Sequence, residues 1–100
     1  MYDMKKLSKF GQYAELAPAA FKAFQAFDAV ALADGAIPAK YKELIAVGAA
    51  LTTQCPYCIE IHSKRAKQAG ATEQELAETA LVAAAIRAGG AMTHGTHAME

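Results

Sequence analysis

The chain has two cysteines, and they stand three residues apart within TTQCPYCIEIHSK as Cys55 and Cys58, with His62 four residues after the second. Pro56 suits the first position of a helix. Cys55 then becomes the N-cap and Cys58 lies in the first turn. Both sulfurs sit at the positive end of the helix dipole, which lowers a thiol pKa and enlarges the thiolate fraction. The i, i+3 spacing lets the sulfurs approach closely enough to form a disulfide. His62 shares a helix face with Cys58, so the two can act as nucleophile and base. Spacing to the imidazole favours Cys58 as the activated sulfur; the N-cap position favours Cys55. These residues alone leave both assignments open.

Two other chemistries fit the same residues. Cys55, Cys58 and His62 are three possible zinc ligands, with Glu43, His94 or His97 as a fourth. Structural zinc sites usually bring a second well-spaced ligand pair, and the i, i+3 pair His94/His97 in THGTH is a weak one. The plainest alternative is two incidental thiols beside a core histidine. A cysteine pair and a histidine on one face, behind a helix-starting proline, make redox chemistry the preferred reading.

The elements that carry these residues read as helices throughout. A quarter of the chain is alanine, β-branched residues are sparse, and no segment alternates with period two, which favours helix over strand. LAPAAFKAFQAFDAVALADG reads as a helix with Pro18 near its start and Gly35 past its end. Phe21, Phe24 and Phe27 form a stripe on it, suited to core or subunit contact. AIPAKYKELIAVGAALTTQ follows, with Pro38 in its first turn and apolar residues at helical spacing; Gly48 there predicts the close approach of another helix. CPYCIEIHSKRAKQAG closes on Gly70. ATEQELAETALVAAAIRAGG opens on a capping box, Thr72 and Glu75, and runs to a break at Gly89-Gly90. Its Leu76, Ala80, Ala83 and Ala84 form a small-residue face. AMTHGTHAME is a short last helix or a tail. The expected architecture is all-α: a compact single-domain bundle of five to six helices over residues 1–100, with its core at about 18–95.

Composition narrows the partners. Ten basic and ten acidic residues give a net charge of zero, which argues against a nucleic-acid or membrane-surface role. No apolar run is long enough to span a bilayer, and MYDMKKLSKF lacks the apolar core of a signal peptide. A cytoplasmic location follows as the expectation, where a lone cysteine pair is redox-active or metal-binding rather than a structural disulfide. Hydrophobic residues make up 54% of the chain and charged residues 20%. One hundred residues enclose little interior, so this excess predicts a homo-oligomer with apolar interfaces.

Glu43, followed after eleven residues by C-x-x-C-x-x-x-H at Cys55, Cys58 and His62, resembles the alkylhydroperoxidase D-like branch of the carboxymuconolactone decarboxylase family. The similarity covers about residues 18–95 and includes AIRAGGAMTHG. The resemblance implies a thiol-dependent peroxidase or disulfide oxidoreductase serving antioxidant defence, with no metal or bound organic cofactor. Its partners would be a hydroperoxide substrate and a dithiol or lipoyl-type reductant, and its short members assemble as trimers or hexamers. Carried over by position, Cys58 would be the peroxidatic cysteine and Cys55 the proton donor and resolving cysteine. Glu43 and His62 would form a proton relay, with Glu43 partly buried and facing His62. Tyr57 stands where some members place a histidine, which implies a shorter relay. The decarboxylase branch does not use a cysteine pair, so the pair argues against decarboxylation. A non-catalytic oligomeric redox sensor and a zinc-binding module are the alternatives that use the same thiols.

Overall fold

Helix-starting prolines, polar caps and a terminating glycine set most of the element boundaries. This computed structural model describes residues 2–99; the outermost positions of the expected domain, 1 and 100, lie outside them. The described residues form five α-helices and two 3-10 helices, with no strand, so the fold is all-α. None of these helices is long and apolar enough to cross a membrane. The chain divides into two units, one up to Ala39 and one from Lys40 onward.

In the first unit a 3-10 helix, Met4–Lys9, leads into α1 (Phe10–Leu16) and α2 (Pro18–Leu32). Asp3 caps the start, its Oδ1 accepting the Lys5 N–H at 3.0 Å. Pro18 is the first residue of α2, where its missing N–H costs nothing. Phe10, Tyr13 and Phe21 form an aromatic cluster that ties α1 to α2. Phe10 meets the other two rings edge-on at centroid distances of 5.6 and 6.1 Å, and Tyr13 stacks on Phe21 at 5.8 Å. Phe24 and Phe27 lie outside the cluster and are 55% and 70% exposed. The stripe is thus no core of the isolated chain.

The second unit holds the site. It comprises α3 (Ala39–Thr53, beginning one residue before the unit boundary), α4 (Pro56–Gln68), α5 (Glu73–Gly95) and the 3-10 helix Thr96–Met99. The helix α3 begins one residue after Pro38 rather than around it, because Asp34 Oδ1 accepts the Ala39 N–H at 2.6 Å and caps the helix there. Glu43, Val47 and Ala50 on α3 are buried together with Ala66, Ala71 and Ala83. The i, i+4, i+7 spacing of the first three makes one inward face. Gly48 lies beside α5: a Cβ built on it would meet the Thr79 methyl at 3.6 Å, ordinary van der Waals contact.

Helix α4 ends in a Schellman motif. Gly70 takes φ +101, its N–H donates to Lys67 O at 3.0 Å, and the Ala71 N–H donates to Ala66 O at 2.9 Å. That left-handed position is where glycine avoids a steric cost. The capping box forms as the sequence predicts: Thr72 N–H donates to Glu75 Oε1 at 2.9 Å, and Glu75 N–H donates to Thr72 Oγ1 at 3.0 Å.

One expected boundary is corrected. Helix α5 continues through Gly89-Gly90 to Gly95. Each glycine weakens a helix by about 1 kcal/mol relative to alanine, but neither is followed by proline or placed at positive φ. Alanines 83–85, 88 and 91 offset that cost, and the hydrogen-bond ladder carries on.

Candidate redox site

Two residues, Gln54 and Cys55, join α3 to α4, and the chain is pinned on both sides of them. Gln54 takes φ +58, and the Cys55 N–H returns to Ala50 O at 3.1 Å. This closes the end of α3 with a non-glycine residue in the left-handed position. Cys55 is also the N-cap of α4, and the Ile59 N–H donates to its carbonyl at 3.0 Å. One residue thus ends one helix and begins the next, which fixes its side chain. The side chain of a residue in this conformation carries a steric cost that glycine lacks. Gln54→Gly is therefore expected to raise unfolding free energy by about 1 kcal/mol, read by urea denaturation; an unchanged midpoint would show that the Gln54 side chain repays its strain through contacts of its own.

The sulfurs of Cys55 and Cys58 are 2.7 Å apart, inside van der Waals contact. Both cysteines are free and half-buried. The Cys58 backbone N–H donates to Cys55 Sγ at 3.3 Å. The sulfur–sulfur hydrogen bond with Cys58, backed by backbone N–H groups of Cys58 and Tyr57, holds the Cys55 thiol pKa below its ordinary value against partial burial. Cys58 moves the other way: the hydrogen bond to Cys55, then burial, then the neighbouring charge push it up to about 11. The two thiols are thus shifted apart, Cys55 downward and Cys58 upward, so Cys55 is the more readily ionised of the pair. The direction of these shifts agrees with the N-cap argument rather than with the histidine-spacing argument.

Glu43 and His62 meet across α3 and α4. His62 Nδ1 lies 2.9 Å from Glu43 Oε2, and Glu43 is only 6% exposed. A carboxylate removed from water to that extent requires a partner, and His62 is the partner. No hydrogen bond joins the imidazole to either sulfur among the described residues; His62 reaches the pair only through the one-turn spacing to Cys58. Tyr57 lies between the cysteines and is half-buried. His94 and His97 pair with each other at the C-terminal end of α5, ring centroids 6.2 Å apart. Among the described residues no group of three or more His, Cys, Asp or Glu side chains converges as a metal site would require, and Glu43 engages His62 directly.

One further residue, Arg87, escapes the sequence reading. Arg87 on α5 donates from Nη1 to the Thr52 carbonyl at 2.7 Å, clamping the last turn of α3 just ahead of Gln54. The available signal was a lone arginine in an alanine-rich helix.

A family model, the carboxymuconolactone decarboxylase family, matches residues 18–100. Among curated proteins, one from Paracoccus denitrificans named uncharacterized protein 4 in cox locus is 49% identical over 70 residues, covering 70% of this chain and 63% of its own. A Cupriavidus necator protein is 44% identical over 48 residues, covering 48% of this chain and 42% of its own. The chain thus matches less than two thirds of either relative's length. Among solved structures, a protein from Methanobacterium thermoautotrophicum superposes with a TM-score of 0.81 at 35% identity, covering 88% of this chain and 99% of its own. A carboxymuconolactone decarboxylase family protein from Legionella pneumophila, crystallised in its apo form, gives 0.75 at 34% identity, covering 80% and 71%. The matched segment takes in every residue of the site, and the chain belongs to the carboxymuconolactone decarboxylase family.

Proposed function

We propose that the protein is a thiol-dependent peroxidase of the alkylhydroperoxidase D-like type, working through a Cys55–Cys58 disulfide cycle. The observation that carries this reading is the sulfur pair at a helix N-terminus, 2.7 Å apart. The Cys55 thiolate attacks the terminal peroxide oxygen. The O–O bond breaks, a sulfenic acid forms on Cys55, and the departing alkoxide takes the Cys58 thiol proton to become an alcohol. The Cys58 thiolate attacks the sulfenic sulfur and the S–O bond breaks. Hydroxide leaves as water with the proton held by the His62–Glu43 pair. An external dithiol, of protein or lipoyl type, then reduces the disulfide by thiol–disulfide exchange. Its two protons return to Cys58 and to the His62–Glu43 pair. This cycle needs no metal or organic cofactor, and it gives Cys55 the attacking role that the family resemblance gives Cys58.

The test is consumption of an alkyl hydroperoxide by the purified protein with excess dithiol. Many equivalents consumed per subunit support the reading. A single equivalent, with a disulfide formed and no turnover in any dithiol, would replace it with a redox sensor.

The homo-oligomeric state belongs to the same proposal. Tyr41, Leu44, Ile45, Val82 and Ile86 line an apolar groove of about 510 Å³ between α3 and α5, and Ile45, Val82 and Ile86 are exposed. Covering such side chains with a second copy removes apolar area from water. Light scattering at micromolar concentration is expected to give a trimer or hexamer; a monomer would overturn this part.

A further inference from the structure

A smaller cavity, of about 290 Å³, lies between the end of α3 and the middle of α5, walled by Leu51, Gln54, Ala80, Ala83, Ala84 and Arg87. Gln54, one of its walls, immediately precedes Cys55 in the chain. Four of its walls are aliphatic. The polar groups are the Gln54 carboxamide and the Arg87 guanidinium, and Arg87 carries the one charge among the lining residues. The guanidinium has five N–H donors in a planar fork. One of them is spent on the Thr52 carbonyl, which fixes the group in place and leaves the others to a ligand. Gln54 keeps a side chain at φ +58, where glycine would be cheaper; strained positions of this kind cluster at binding and catalytic sites.

An apolar floor with a fixed cation at its rim matches one chemistry: a short aliphatic chain ending in a carboxylate, which an arginine fork grips with two parallel hydrogen bonds. The volume sits at the small end of ligand sites, so the chain is short. We infer that this cavity binds aliphatic carboxylates, and that the hydroperoxides reduced at Cys55 are those borne on such acids. The second half of the inference rests on the peroxidase reading; the first half does not.

Two measurements separate them. Titration calorimetry with hexanoate, and with hexanol as the uncharged control, reads the cavity alone. Hexanoate is expected to bind at least about tenfold more tightly, the scale of one charge-assisted contact. Arg87→Gln should abolish that difference. Ala84→Leu, which leaves the Arg87 clamp intact and fills the floor, should weaken both ligands and guards against a misfolded Arg87 variant. Equal binding of acid and alcohol, or hexanoate binding indifferent to both substitutions, overturns the site. Turnover of ω-hydroperoxyhexanoate against its methyl ester reads the coupling to chemistry, with the acid preferred about tenfold in kcat/KM. Hexanoate binding without consumption of either hydroperoxide keeps the site and sinks the peroxidase reading. Equal turnover of both, with no hexanoate binding, keeps the peroxidase and sinks the site.

Discussion

Cys58→Ser should consume one equivalent of hydroperoxide and stop, whereas Cys55→Ser should scarcely react at neutral pH. In Cys58→Ser the amide of residue 58 still points at Cys55 Sγ, where it lies at 3.3 Å in the native protein. Cys55 therefore stays partly ionised and attacks once. With no second thiol the sulfenic acid cannot resolve, and turnover falls at least about a hundredfold, as when a required nucleophile is deleted. The trapped sulfenic acid is read by dimedone labelling and mass spectrometry. In Cys55→Ser the surviving Cys58 loses the hydrogen bond and the charge that push it up to about 11, and its pKa falls toward the free-thiol value of about 8.5. Only a few per cent is then thiolate at pH 7. The sign of the pH profile follows. A thiol whose pKa is lowered keeps its reactivity as pH falls below the ordinary thiol range, so native alkylation by iodoacetamide should extend to lower pH than in Cys55→Ser. If Cys55→Ser instead retains the first oxidation and Cys58→Ser loses it, the roles are those the family resemblance implies.

The sequence made the cysteine site legible because it is built from local signals. Pro56 at the first helical position, Cys55 as the N-cap, Thr72 with Glu75 and Gly70 past the helix end each act within four residues, and each appears where its chemistry demands. Signals that must compete are harder to read. Gly89-Gly90 looks like a stop, yet a stop needs a left-handed residue or a following proline, and the surrounding alanines carry the helix on. The seven-residue α1 has no capping side chain of its own and is held by the packing of Phe10 and Tyr13 on Phe21, which local propensity does not encode. The polarity of the cysteine pair depends on whether an amide or an imidazole reaches a sulfur first. That is a matter of side-chain geometry: His62 turns to Glu43, while the amide of Cys58 faces Cys55 Sγ. Arg87 acts across 35 residues of chain, and no spacing rule extends so far.

Breaking the Glu43–His62 pair should separate stability from catalysis. Glu43→Gln keeps an oxygen that can accept from His62 Nδ1, now 2.9 Å from the carboxylate, but removes the charge. Unfolding free energy should change by less than about 1 kcal/mol, the net worth of a typical hydrogen bond. Turnover should drop about a hundredfold, the lower end of a general acid–base contribution. His62→Ala does the reverse damage first: it leaves the buried Glu43 carboxylate without a partner, which costs about 3 kcal/mol. Adding Glu43→Gln to His62→Ala should recover most of that stability, because no charge is then left buried, while turnover stays low because no proton carrier remains. The double-mutant cycle isolates the pair from either residue's own packing. Urea denaturation supplies one axis and the pH dependence of kcat the other. Full turnover in Glu43→Gln across the pH range would remove the pair from the proton path and leave it a structural one: the means by which α3 and α4 hold the helix that begins at Cys55 against the helix that ends beside it.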